Sequence, residues 1–159
     1  MSSSTSLLEI KAIRLTLKAS NKKVVFTNGV FDLIHSGHVD YLSKAKKLGD
    51  VLILGLNSDD SVRRIKGDKR PILKQEERAF ILSNLKPVDY VVFFDEDTPE
   101  KLISEIIPDI LVKGADWAVE KTVGKEIVEK NGGKVMNIEF VNDQSTSKII
   151  DLIVQRYSK

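Results

Sequence analysis

Apolar and polar residues alternate along this chain in two rhythms, and the switches between them mark out its elements. Leu8, Ala12, Leu15 and Ala19 recur at helical spacing until Asn21, Lys22 and Lys23 end the segment, which predicts an N-terminal helix outside the repeating core. Residues 24–27 form a short β-branched and aromatic run that halts at Asn28-Gly29. Val39, Leu42, Ala45 and Leu48 then share one helical face. The reading is strand, glycine turn, helix. Residues 51–56 are apolar without alternation, as in a strand covered on both faces of a parallel sheet. The alternation continues with a helix near residues 75–85, a strand at 90–94 and a helix opened by Thr98-Pro99-Glu100, with Pro at the first helical position. A strand at 110–112, a helix at 120–130 closed by Asn131-Gly132-Gly133, a strand at 135–141 and a helix at 147–157 complete the pattern.

Five strands interleaved with helices predict an α/β fold: a single doubly wound, Rossmann-like domain with a five-stranded parallel sheet. Right-handed crossovers then place a ligand crevice at the carboxyl ends of the strands. The expected organisation is a helical extension over residues 1–21 and one domain over 22–159. At 159 residues, 42% hydrophobic and 30% charged, the chain suits one soluble globular domain. Its 25 basic and 23 acidic residues leave a net charge of +2, too small to mark nucleic acid as the main partner. Cysteine is absent from the sequence, which excludes disulfides and thiol chemistry. No apolar stretch approaches the roughly 20 residues of a membrane span, and the N-terminus lacks the basic start of a secretory signal. The chain is therefore expected to be cytoplasmic, with no membrane partner.

The segment TNGVFDLIHSGHVDYL, residues 27–42, holds both histidines. His35 and His38 flank Gly37, which lets backbone approach a ligand, where the first strand turns into its helix. A helix N-terminus favours phosphate, and imidazole donors there would strengthen that preference as charge builds during attack on phosphorus. A His-x-x-His pair is also compatible with zinc, joined by Asp32 or Asp40, or with two packed histidines. No dinucleotide fingerprint or P-loop occurs in this turn. Residues 57–82 carry Arg63, Arg64, Lys66, Lys69, Arg70, Lys74 and Arg78, read as a basic loop suited to a triphosphate and a phosphorylated co-substrate, or alternatively as a solvated surface. Lys113, Gly114, Asp116 and Trp117 stand at the end of the fourth strand. The single Trp is read equally as core packing or nucleotide contact.

FDLIHSGH resembles the His-x-Gly-His signature of the cytidylyltransferase-like nucleotidyltransferase superfamily, and QSTSKI at residues 144–149 resembles its Ser-Thr-x-Lys-Ile element. Over residues 22–153 the order of segments is most similar to the adenylyltransferase domain of the ADP-heptose synthase family of lipopolysaccharide biosynthesis, through NSDDSVRRIKGDKRPI, EDTPEKLI and DILVKGADW. Glycerol-3-phosphate cytidylyltransferase resembles it less closely in the basic loop. The resemblance implies transfer of AMP from ATP to D-glycero-β-D-manno-heptose 1-phosphate. His35, His38 and Lys66 would be catalytic. Thr27, Asn28, Gly29, Phe31, Gly37, Arg78, Gly114, Asp116, Trp117, Ser145, Thr146 and Ser147 would bind nucleotide. Asp32, Lys69 and Lys113 would face the acceptor, Asp32 also as an outer-shell metal ligand. Mg²⁺ would be held mainly through the nucleotide, with no dedicated metal residues. A homodimer and a separate heptose kinase are further implications. The chain departs from the pattern at Asp143 and Gln144, where a Gly and an aromatic are usual, and at Lys148, where the family can carry Arg.

Overall fold

Val24, Val25 and Phe26 are wholly inaccessible to solvent, as are Leu52, Ile53 and Leu54. Only strands covered on both faces bury consecutive side chains in this way. The computed structural model describes residues 4–115, 119–139 and 145–158. In chain order its elements are α1 (Leu7–Ala19), β1 (Val24–Gly29), α2 (Ser36–Lys46), β2 (Val51–Asn57), α3 (Asp59–Lys66), α4 (Gln75–Ser83), β3 (Tyr90–Phe94), α5 (Glu100–Ile106), β4 (Ile110–Gly114), α6 (Lys125–Lys130), β5 (Lys134–Ile138) and α7 (Thr146–Tyr157). The sheet is five-stranded and all-parallel, in the order β3-β2-β1-β4-β5. Tyr41, Leu42, Ala45, Ala79 and Leu82 cover one face from α2 and α4. Ile10, Leu102, Ile103, Ile106 and Val128 cover the other from α1, α5 and α6. The fold is thus the doubly wound α/β architecture that the hydrophobic pattern predicts. No helix among the described residues is long and apolar enough to cross a membrane.

Several details differ from the pattern. α1 buries Ile10 and Arg14, whereas Leu8 and Leu15 stay 80% and 71% exposed. Two apolar stripes compete on this helix, and Ile10, Ile13 and Leu17 win because they face the sheet. Arg14 crosses to the end of α5, donating to the carbonyls of Ile106 and Ile107 and to Asp109. The supposed basic loop contains α3, capped by the Ser58 hydroxyl, which accepts from the Ser61 amide at 3.0 Å. Its acidic first turn and basic last turn complement the helix dipole. Pro99 stands at the N-cap of α5 rather than inside it. The helix expected over 120–130 is reduced to a 3₁₀ turn at Val119–Lys121 and the short α6. Gly124 separates them at φ 87°, and a Cβ there would lie 2.6 Å from Ile103 Cδ1. β5 ends at Ile138, and residues 140–144 of the expected last strand and loop lie outside the described residues.

Candidate active site

The strand order reverses at β1, which has β2 on one side and β4 on the other. This is the topological switch point where open α/β sheets bind ligands. A cavity of about 480 Å³ opens there, beyond the ends of β1, β2 and β4, a volume within the range of small-molecule sites. Asn28, Gly29 and Phe31 line it from the first turn, His38 from α2, Lys66 from the end of α3, and Lys113 and Gly114 from the end of β4. Phe31 adopts φ 46°, an unusual value for a non-glycine residue. Its ring lies so close to Gly29 that a Cβ there would meet Phe31 Cε2 at 2.9 Å. A side chain at position 29 would therefore displace the Phe31 ring. Lys113 donates through Nζ to Asn28 Oδ1, fixing an ammonium at the cavity wall.

His35 is the N-cap of α2, and Gly37 is buried in its first turn. The His35 ring stacks on His38 with centroids 3.8 Å apart and planes inclined by 28°. Phe31 flanks His38 from another side at 5.2 Å. Both Nδ1 atoms are buried without a hydrogen-bond partner among the described residues. Burial lowers the pKa of His35. Burial, and secondarily the neighbouring His35, pushes His38 down to about 4. The pair is therefore neutral at neutral pH. α7 begins beside the same corner, where Thr146 Oγ1 donates to the Leu33 carbonyl at 3.4 Å and Ser145 caps the helix by accepting from the Lys148 amide at 3.2 Å. Ser147 is exposed in the first turn of α7. The structure thus joins the two sequence motifs at one end of the sheet.

Other expected residues stand elsewhere. Thr27 lies wholly buried beneath the cavity, its hydroxyl 2.8 Å from that of Tyr41. Asp32 does not offer an outer-shell metal ligand: its carboxylate accepts from the Ile72 and Leu73 amides and from Arg70 Nε at 2.6 Å. Arg78 does not line the cavity. It is wholly buried, donating to the carbonyls of Val30, Asn57 and Leu73 and pairing with Asp59 at 2.7 Å. Of the seven cations read as a phosphate basin, Lys66 alone lines the cavity. Arg63 and Arg64 pair with Asp60 and Asp97, Arg70 and Arg78 are structural, and Lys69 and Lys74 are exposed. The four arginines are paired with Asp60, Asp97, Asp32 and Asp59, and none of them lines the cavity. Asp116 and Trp117 lie outside the described residues.

Residues 26–152 match the family model described as cytidylyltransferase-like. The chain belongs to the cytidylyltransferase-like family. Within that setting it is similar to a solved structure, the lipopolysaccharide core biosynthesis protein of Thermoplasma volcanium, with a TM-score of 0.63 and 32% identity, covering 77% of this chain and 99% of that one. The bifunctional protein HldE of Citrifermentans bemidjiense is 60% identical over 136 residues, 86% of this chain and 28% of its own length. The bifunctional protein HldE of Helicobacter pylori is 49% identical over 152 residues, 96% of this chain and 32% of its own. The chain therefore spans less than a third of the length of these curated relatives.

The cytidylyltransferase-like cavity also uses residues that the sequence pattern did not single out as site residues, among them Tyr41, Asn57, Asp97, Thr98 and Thr122. Tyr41 was within reach, since it stands three residues after His38 and so shares its helix face. No group of three or more His, Asp or Glu side chains suited to a metal exists among the described residues.

Proposed function

We propose that this protein is an adenylyltransferase that moves AMP from ATP to D-glycero-β-D-manno-heptose 1-phosphate, forming ADP-heptose and pyrophosphate. The observation that carries the reading is the stacked imidazole pair whose Nδ1 atoms lack partners among the described residues, with His38 lining the switch-point cavity. Support for the acceptor comes from the similarity to relatives named bifunctional protein HldE and to a lipopolysaccharide core biosynthesis protein. In the proposed step a phosphate oxygen of the sugar attacks the α-phosphorus in line. The bond from that phosphorus to the α–β bridging oxygen breaks, and pyrophosphate leaves with the electron pair. The acceptor brings its own anionic oxygen, so no enzyme nucleophile is required. His38, with His35 behind it, presents N–H groups to oxygens that gain charge, the type of preorganised stabilisation that contributes most to such reactions. Lys66 and Lys113 supply positive charge at two walls, Lys113 held there by Asn28.

Mg²⁺ enters this reading with the triphosphate, held by phosphate oxygens and water, because Asp32 is committed to protein donors and Asp97 to Arg64. A homodimer and a cytoplasmic setting belong to the same reading. So does a kinase that supplies the anomeric phosphate, whether on this polypeptide or another. Pyrophosphate release, measured for ATP and CTP each combined with heptose 1-phosphate and glycerol 3-phosphate, tests the proposal. Turnover is expected with ATP and the heptose phosphate. Release with CTP and glycerol 3-phosphate alone would overturn the assignment, and nucleotide binding without any turnover would make the protein a sensor.

A further inference from the structure

The ladder between β1 and β4 ends early. Its pairs are Val25 with Ile110 and Phe26 with Leu111, although β1 continues to Gly29 and β4 to Gly114. Each keeps its outer partner to its last residue. The two central strands therefore part at Thr27 and Val112, below the cavity. Backbone polar groups in such a gap need other partners. One side chain meets the Val112 carbonyl and reaches across to the Thr27 side chain. The Tyr41 hydroxyl, on a residue 5% exposed, donates to the Val112 carbonyl at 3.2 Å and lies 2.8 Å from Thr27 Oγ1. With the phenolic proton directed to Val112, the Thr27 hydroxyl is the donor in the second bond. Tyr41 and His38 both line the cavity from one face of α2. The phenol thus clamps α2 to both strands at the level where His38 enters the site.

We infer that Tyr41 is a positioning residue, whose hydroxyl bridges Thr27 and Val112 across the parted strands and so fixes the roll of α2 and the placement of the His38 imidazole. The inference rests on the nucleotidyl-transfer reading of the cavity. A ring without the hydroxyl would fill the same space, yet it would leave the helix free to turn against the gap. Sites built from preorganised donors tolerate little of this, since a displacement of about 1 Å is worth on the order of a hundredfold in rate.

Tyr41→Phe is compared with Val88→Ala, a buried change near the opposite end of the sheet that lowers stability without touching the site. Tyr41→Phe should lower kcat about tenfold or more while the KM for ATP stays within about threefold, the pattern of an interaction that matters in the transition state. Thr27→Val should reproduce the loss, Thr27→Ser should retain activity, and combining Thr27→Val with Tyr41→Phe should lose no more than either alone. Val88→Ala should leave kcat unchanged at an equal or larger drop in Tm. The chain has two histidines, so their ring resonances can be followed directly by NMR, and those of His38 should shift in Tyr41→Phe and not in Val88→Ala. Wild-type kcat with unmoved His38 resonances, or a loss confined to KM, would overturn the inference. Absence of turnover in the wild type with every substrate pair would instead refute the nucleotidyl-transfer reading, and the His38 resonances would then decide the role of Tyr41 alone.

Discussion

Two uncharged imidazoles stacked at 3.8 Å avoid the repulsion that two imidazolium rings would suffer, and they remain ready to accept a proton once a polyanion arrives. The sign of the resulting pH dependence follows from burial. His38 titrates near 4 in the folded chain against 6.5 when solvated, so between those values the unfolded chain binds the additional proton. Its contribution to stability is therefore complete above pH 6.5 and is lost as the pH falls toward 4. Thermal melts between pH 7 and 4 should show a drop in Tm that is shallower in His38→Ala, and parallel slopes in the two proteins would contradict this environment. The placement of both histidines at the first strand-to-helix turn was legible in the sequence, because the apolar run that halts at Asn28-Gly29 marks the end of the strand before them. For Asp32 and Arg78 the sequence showed the charge but not the partner. A lone charge in a sequence does not reveal whether its partner is a ligand or, as here, the Ile72 and Leu73 amides and the Asn57 carbonyl.

Among the elements, α3 and its surroundings illustrate what hydrophobic periodicity misses. DDSVRRIK buries only Ser61 and Val62, so no apolar stripe announces a helix, and its capping serine and charge order were the available signals. Arg78 on α4 holds this region together. It joins Val30 after β1, Asn57 at the end of β2, Asp59 at the start of α3 and Leu73 in the connecting loop. Removing the guanidinium leaves three carbonyls and a carboxylate short of a donor. Arg78→Met should therefore destabilise the protein by about 3–5 kcal/mol, as for other broken buried ion pairs. Urea denaturation measures this, and a loss below about 1 kcal/mol would show that water replaces the arginine without difficulty. Since α3 carries Lys66 to the cavity, partial rescue by excess nucleotide should accompany the loss. On α1 the pattern offered two stripes, and only the sheet could choose between them.

At the scale of the whole molecule the sheet was legible almost in full, because unbroken apolar strands alternating with helices admit few topologies. The early end of the β1–β4 ladder was not legible, since strand pairing depends on residues distant in sequence. If nucleotide binds only the folded chain across β1, α2, α3 and β4, it must stabilise all of them together. ATP at about a hundredfold its Kd should add about 2.7 kcal/mol, or roughly 5–10 °C in Tm for a protein of this size. An unchanged melt at saturating ATP would contradict the site. The region matched by the family begins at residue 26, inside β1, yet Ile10 of α1 is wholly enclosed in the core and Arg14 satisfies the carbonyls that close α5. Kinship and architecture thus draw their borders in different places. A fragment trimmed to the recognisable region would keep both imidazoles while opening a void beneath Phe26 and baring the last turn of α5 to solvent.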